Sequence, residues 1–450
     1  MPPGAQSREG SEIDTTNRIR VLVIAEAANP EWASVPLVGW SMATAIARRT
    51  DAHIVTQVRN RDAFVRAGLR EDIDFTAIDT ERLSRPLWKL ANLLRGGKGV
   101  GWTIQTAIAS LSYPYFERLV WRQFGDRIRR REFDVVHRVT PLTPTAPSLI
   151  APRVARAGVP FVLGPLNGGV PWPKGFDKER RKEREWLSYI RGIYKWMPGY
   201  RSTLKSAAAV LCGSRFTQSD LPVRHAAKYR YEPENGIDPR RFVARCKPYE
   251  DGALRLCFIG RLVPYKGPDI VLAAAEPLLR SGAATLDIVG DGTMRAGLEA
   301  WAASRGLESA VAFHGWVPHT EVQGVLASCH VLAFPSVREF GGGVVLEAMA
   351  VGLVPMVADY AGPAELVDDA VGFKIPMGDR GQLTAAFARQ LAVIAANPGD
   401  LSSKSAACVE RIRTQHTWDA KAERMENLYR SLRPGSQGEV NVSEAHQTAS

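Results

Sequence analysis

The chain opens each of its two halves in the same way. Residues 19–25, IRVLVIA, are an apolar run that reads as a buried strand; a loop containing Pro and Trp follows, then the helical run WSMATAIARR. At residues 254–260 the order recurs as LRLCFIG, a loop, and PDIVLAAAEPLLRSG. Strand, ligand-sized loop and helix is how a doubly wound α/β domain begins. At 450 residues the chain is about three times a usual single domain, so two such domains each have enough length to bury a core.

Further short apolar runs supply the other strands. In the first half they are DVVH (Asp134 to His137), VPFVL (Val159 to Leu163) and AVL (Ala209 to Leu211). In the second they are LDIV (Leu286 to Val289), VAF (Val311 to Phe313), VLAF (Val331 to Phe334) and VPMV (Val354 to Val357). Gly, Pro or Asn follows many of them, as strand-to-helix loops require. The fold class predicted is α/β, with two Rossmann-like domains in tandem. The boundary falls in YEPENGIDPRRF, residues 231–242, where Asn235-Gly236 and Pro239 mark a turn. This gives a first domain over 18–240, a second over 250–415 and an amphipathic helix over 417–433. The polar ends, 1–17 and 434–450, are expected to be disordered.

Composition closes several other routes. Apolar residues are 45% and charged residues 23%, close to globular averages, which disfavours a fibrous or wholly disordered chain. No run of 18 apolar residues occurs, so no membrane-spanning helix is expected. Residues 1–17 lack the apolar stretch of a secretory signal. Five scattered cysteines, none in a C-x-x-C pair, argue against a disulfide framework or zinc site and suit a reducing cytoplasm.

Charge is divided unevenly. The net +11 is the sum of +16 over residues 1–250 and −5 over residues 251–450. A basic half suits an anionic partner, and a solvated surface gives the same arithmetic. Residues 174–205 interleave cations with Trp186, Tyr189, Tyr194, Trp196 and Tyr200; residues 86–131 add Trp88, Trp102, Trp121, Arg127 and Arg129 to Arg131. Such a mixture fits a lipid interface, with the aromatics as core of a helical insertion as the other reading. No RNA-binding consensus, zinc finger or clear helix-turn-helix accompanies it, so nucleic acid is not expected as a partner.

The residues with chemical potential lie mostly in the second half. In VREFGGGVVLEAMAVGLVP, Glu339 is expected at a strand end, followed by Gly341, Gly342 and Gly343, with a helix beginning near Val344 and carrying Glu347 in its first turn. Glycines allow close backbone approach and a helix N-terminus offers free N–H groups, together an anion cradle suited to a diphosphate. A carboxylate beside it can accept hydrogen bonds from a vicinal diol; a turn with a dipole-compensating acid is the plainer reading. In GRLVPYKG, Arg261 and Lys266 place two fixed cations in a strand-to-helix loop, able to clamp phosphoryl oxygens. IVGDG, around Gly290 and Gly292, is another strand with a glycine turn.

Taken in order, GRLVPYKG, IVGDG, VAFHGWV, EFGGGVVLE and AMAVGLVP resemble the second domain of glycosyltransferase family 4, with the GT-B fold. Glu339 and Glu347 are separated by seven residues, the mark of that family. FDVVH (133–137), AAAVLCGS and ENGID resemble its first-domain segments, and the similarity covers roughly residues 18–432. The resemblance implies two domains facing a central cleft, with the helix from Trp418 crossing back to the first. It implies Arg261 and Lys266 on the diphosphate of a nucleotide-sugar donor, Glu347 on the ribose, and Glu339 on the sugar. Gly342, Gly343 and Val344 would offer backbone N–H groups, and the backbone at Trp316 and Val317 would meet the nucleobase. Gly39 would lie against phosphate or sugar, and His137 would face the reaction centre as a catalytic group.

The chain departs from the family pattern in three places. Phe340 sits one place early between the glutamates, VPLVGW has one glycine where two are usual, and Val139 replaces a second histidine after His137. GPLNGGVPWP, residues 164–173, brings Asn167, Gly168 and Trp172 to the cleft side of the first domain, as acceptor contacts or as a tight loop with a buried Trp. The one D-x-D, Asp72-Ile73-Asp74, has no glycine loop or downstream ligand cluster and reads as surface acid, so no metal and no cofactor beyond the donor is expected.

The activity implied is a retaining, metal-independent transfer of a sugar to a hydroxyl of a glycan or lipid-linked acceptor. It would take place in the cytoplasm, peripherally on the inner face of the cell membrane. A GT-B-type epimerase or phosphorylase, or a non-catalytic nucleotide-sugar-binding protein, are the alternatives.

Overall fold

The computed structural model describes residues 18–80, 101–173, 175–176, 193–250, 252–318 and 321–433, with backbone only for 101–112 and 193. The two ends expected to be disordered lie outside these residues, as does most of the basic-aromatic segment 174–205 and the stretch around Trp88.

Two parallel sheets form the frame. The first runs β3-β2-β1-β4-β5-β6-β7 and the second β10-β9-β8-β11-β12-β13. In the first, β1 is Arg20–Ala25, β2 Asp51–Gln57, β3 Phe75–Ile78, β4 Val135–Thr140, β5 Phe161–Leu166, β6 Ala209–Cys212 and β7 Tyr229–Tyr231. In the second, β8 is Leu254–Ile259, β9 Ala284–Val289, β10 Val311–Gly315, β11 Val331–Phe334, β12 Val354–Ala358 and β13 Phe373–Ile375. Both are Rossmann-like, and each reverses strand order once, between β1 and β4 and between β8 and β11. Loops leaving the carboxyl ends of those strands border the crevices where such sheets bind ligands.

Burial explains the composition of the strands. Residues 21–25 of β1 and all six of β4 are buried, as strands covered by helices on both faces must be. Among the helices, α1 (Val35–Arg49) covers the first sheet, α2 (Pro268–Arg280) the second, and α3 (Gly343–Val351) rises from the three-glycine run. The short α3 is apolar nearly all round and buried, with Gly352 in the left-handed region (φ 86°) ending it.

The last helix, α4 (Trp418–Leu432), returns to the first domain and lies along α1. Arg48 pairs with Asp419 at 2.7 Å and Arg49 with Glu426 at 2.9 Å. Its buried face, Trp418, Ala422, Met425 and Tyr429, joins the apolar cluster under α1. Thr417 caps it, accepting the Ala420 N–H. Lys421, fully buried, pairs with Glu232 just beyond β7, and Arg424 grips the same carboxylate through two hydrogen bonds of 2.9 and 2.8 Å. Residues 232–253 thus connect the sheets under the hold of the chain's last helix.

Candidate active site between the domains

Two loops from adjacent strands at the second sheet's reversal build the centre. After β8, Arg261 to Lys266 turn tightly into α2 through Gly267 (φ 71°), whose Cβ, if it had one, would crowd Pro335. After β11, residues 335–342 lead into α3. Glu339 therefore lies five residues beyond the strand rather than at its end. Lys266 Nζ and a Glu339 carboxylate oxygen form an ion pair in which both side chains are largely buried. Arg261 is more exposed and donates to the Tyr265 hydroxyl.

The glycine turn after β9 gives this loop its position. A Cβ on Gly290 would fall onto the Gly260 carbonyl oxygen, so the two backbones approach as only glycine allows. Gly260 donates to the Val289 carbonyl at 3.0 Å and Leu262 to the Asp291 carbonyl at 2.9 Å, which ties the cationic loop to its neighbour.

The three-glycine run starts the helix one residue earlier than predicted. Gly342 (φ 57°) is the N-cap and Gly343 the first residue of α3, so the N–H groups of Gly343 and Val344 have no partner within the helix. This moves Glu347 from the first turn to the start of the second. It lines a cavity of about 1170 Å³ between the domains together with Gly343, Trp316 and Val317, while Trp32 and Trp40 form part of the first-domain wall. That volume exceeds the roughly 300–1,000 Å³ of ordinary small-ligand pockets.

Two first-domain expectations, for Gly39 and His137, are corrected. Gly39 lies inside α1, not in a loop; a Cβ there would collide with the Ala27 carbonyl oxygen and Thr140, so close packing of helix on strand accounts for it. His137 is fully buried in β4, with Nδ1 2.6 Å from the Tyr429 hydroxyl and Nε2 2.7 Å from the Gly164 carbonyl oxygen. Burial pushes its pKa down to about 4. It is a neutral core histidine that holds α4, not a group over the donor. Asp72 and Asp74 lie in the turn before β3, where Asp74 pairs with Arg70 at 3.1 Å.

GPLNGGVPWP reaches Glu234 and the second domain. Asn167 donates to Glu234 at 2.7 Å and accepts the Gly169 N–H at 3.0 Å, and Gly168 donates to Thr217 at 3.0 Å. Trp172 crosses to the second domain, edge-on to Tyr265 and 5.0 Å from the Arg338 guanidinium. Phe176 is buried in the second domain's core, and Tyr360 donates to the Pro171 carbonyl at 2.7 Å. Trp172 therefore joins the two domains, which accounts for its position without an acceptor contact.

Glu234 escaped notice in the sequence. It sits within ENGID, where only the Asn-Gly turn gives a signal. Its carboxyl group reaches the position a Gly341 side chain would occupy, and burial, reinforced by the charge of Glu339, lifts its pKa to about 7.

Comparison with known proteins agrees with this geometry. Residues 247–394 match the family described as glycosyl transferases group 1. The amylovoran biosynthesis glycosyltransferase AmsK of Erwinia amylovora is 29% identical over 162 residues, 34% of this chain and 40% of that protein. The D-inositol 3-phosphate glycosyltransferase of Streptomyces avermitilis is 31% identical over 212 residues, 44% of each chain. The matched region thus spans less than half the length of these curated relatives. Among solved structures, Anabaena HepE in complex with UDP and glucose aligns with TM-score 0.54 at 16% identity, over 92% of this chain and all of that one. Sucrose-phosphate synthase from Thermosynechococcus elongatus aligns with TM-score 0.55 at 16% identity, over 92% of this chain and 99% of that one. These likenesses establish the GT-B fold.

Proposed function

We propose that this chain transfers a sugar from a nucleoside-diphosphate sugar to a hydroxyl of a glycan or lipid-linked acceptor, with retention at the anomeric carbon and without a metal. One observation carries the reading. Arg261 and Lys266 follow β8, Glu339 and the N-terminus of α3 follow β11, the two strands at the reversal point of the second sheet, and Gly343 and Glu347 of α3 line the inter-domain cavity. The two cations and the helix N-terminus supply the positive field a leaving diphosphate needs. Glu347 would take the ribose diol and Glu339 the sugar, and the backbone at Trp316 and Val317 would meet the base.

In the transfer, the bond between the anomeric carbon and the diphosphate oxygen breaks while the acceptor oxygen bonds to the same face. The acceptor proton passes to a donor phosphate oxygen, so no protein base is required and the buried His137 is not a gap in the mechanism. Glycosyltransferases among the sequence relatives, and a fold neighbour holding UDP and glucose, support the donor class.

A lipid-linked acceptor and a peripheral site on the cytoplasmic membrane face fit the basic first half. In the described part of that half, Trp196 is 80% exposed and lies under the Arg201 guanidinium at 5.8 Å. Among the described residues no helix is long and apolar enough to cross a membrane.

The test is calorimetric titration with UDP, GDP and ADP in the presence of EDTA. One nucleotide is expected to bind selectively and to be lost in Lys266→Ala. Binding of none by folded protein overturns the proposal, and dependence on added Mg²⁺ overturns its metal independence.

A further inference from the structure

Glu234 lies three residues beyond β7, in the segment that links β7 to β8. Residues of both domains meet at it. From the first domain, Asn167 donates to one carboxylate oxygen at 2.7 Å, and Asn167 is itself fixed by the Gly169 N–H at 3.0 Å. From the second, the Cα of Gly341 faces its other oxygen so closely that any side chain at 341 would strike it. Glu339 acts on it electrostatically as a neighbouring like charge.

We propose that Glu234 is a sugar-binding carboxyl of the transfer site, donating a hydrogen bond to a hydroxyl of the transferred sugar across the Gly341 backbone from Glu339, and so selecting the donor. This rests on the function proposed above. The geometry favours it over a purely structural carboxyl. The buried Glu117 carboxylate accepts from three donors, the Tyr113 and Ser148 hydroxyls and the Ile150 N–H, and the structural carboxylate of Glu232 is neutralised by Lys421 and Arg424. Glu234, two residues on, has a neutral amide as its hydrogen-bond partner and a second carboxylate nearby. Burying such a group costs free energy unless hydrogen bonds or a proton compensate it. Its Oε1, with the Asn235 amide, fills the space beside Gly341 in the glycine loop that leads into α3.

The charges around it set the protonation behaviour. Glu339 holds the proton on, with Lys266 engaged by Glu339 itself. Lys421, from α4 behind the linker, and the Asn167 hydrogen bond pull the other way. Burial dominates, leaving the group close to half protonated near pH 7. The protonated carboxyl can donate to a sugar hydroxyl, while the ionised form can only accept. Donor affinity should therefore fall as pH rises past 7, by up to roughly tenfold per pH unit for one coupled proton.

The experiment compares wild type, Glu234→Gln and Glu234→Ala, each confirmed folded by circular dichroism and thermal melting. Calorimetry at pH 6 and pH 8.5 would use UDP, GDP and ADP, then UDP-glucose, UDP-galactose, UDP-N-acetylglucosamine, GDP-mannose and ADP-glucose. The expected result is nucleoside diphosphate binding within about twofold of wild type in both variants. The preferred nucleotide-sugar should bind Glu234→Ala at least tenfold more weakly at pH 6. Glu234→Gln, which keeps a donor without a titrating proton, should bind it with little change between the two pH values. Equal nucleotide-sugar affinity in wild type and Glu234→Ala overturns the proposal. So does equal loss of diphosphate and nucleotide-sugar, which would mark Glu234 as a structural support. Failure of wild type to bind any diphosphate removes the function beneath it, and the proposal with it.

Discussion

His137 and Tyr429, 292 residues apart, meet at 2.6 Å in the core of the first domain, where the ring nitrogen and the phenol tie β4 to the chain's last helix. Because the imidazole is held neutral, with its pKa lowered to about 4, protonation opposes folding. His330 and His416 are likewise lowered to about 4, chiefly by burial. For a group whose folded pKa is depressed, the unfolded chain binds more protons between the two values. Stability is then full above about 6.5 and is lost as pH falls from there towards 4. The melting temperature is expected to drop across that window. His137→Ala should flatten the drop and lower stability at pH 7 by about 1–3 kcal/mol, since the Tyr429 hydroxyl loses its partner. A pH profile of Tm identical to that of wild type would refute the assignment.

Lys266→Ala removes the buried cation from the cationic loop and leaves Glu339 without the partner that balances it. A charge-assisted hydrogen bond to a phosphate is worth about 1.5–3 kcal/mol, so nucleoside diphosphate affinity should fall roughly 10- to 100-fold. Lys266→Arg should recover part of it. The readout is the dissociation constant by calorimetry, and wild-type affinity in Lys266→Ala would remove the clamp from the mechanism.

What the sequence revealed follows from where each signal resides. GRLVPYKG and EFGGGVVLE were legible because loop, cation and helix start are contiguous, and their residues meet across neighbouring strands of one sheet. The strand β2, DAHIVTQ, was not, because only Ile54 and Val55 form an apolar core in it. Its pairing with β1 and β3 makes it a strand and buries Thr56 and Gln57. For His137 only the family resemblance implies a cleft-facing side chain, because β4 is buried at every position and a strand without alternation does not reveal which face a side chain takes. Glu234 was invisible for a different reason: its surroundings include Asn167 and Gly341, distant in sequence, which only the folded chain brings to it.

Lys421 offers a test of how the last helix is held. Its ammonium is fully buried against Glu232 and the Pro233 carbonyl. Lys421→Ala leaves the Glu232 carboxylate with Arg424 alone, in a site with almost no water access. Breaking a buried pair by deleting one partner commonly costs 3–5 kcal/mol; with Arg424 retained, about 3 kcal/mol is expected. Lys421→Met combined with Glu232→Gln should be milder than Lys421→Ala alone, because no bare charge remains. Chemical denaturation measures both, and a loss under about 0.5 kcal/mol for Lys421→Ala would show that the pair does not hold the helix.

Phe176 connects stability to domain closure. It comes from the first domain's chain but is fully buried among the second domain's apolar residues, three positions after the stretch that holds Trp172 against Tyr265 and Arg338. Phe176→Ala removes a large aromatic from a packed core, a change that costs about 3–5 kcal/mol where the site cannot collapse. Here relief is available, because the loop can lift away and let the domains part. The expectation is therefore a smaller loss of stability, about 1–3 kcal/mol, together with a larger radius of gyration by small-angle X-ray scattering. Nucleotide binding, built on the second domain alone, should persist, while transfer, which needs both domains around the sugar, should fall. A full core penalty with unchanged dimensions would show instead that the 164–176 segment is fixed to the second domain and takes no part in opening.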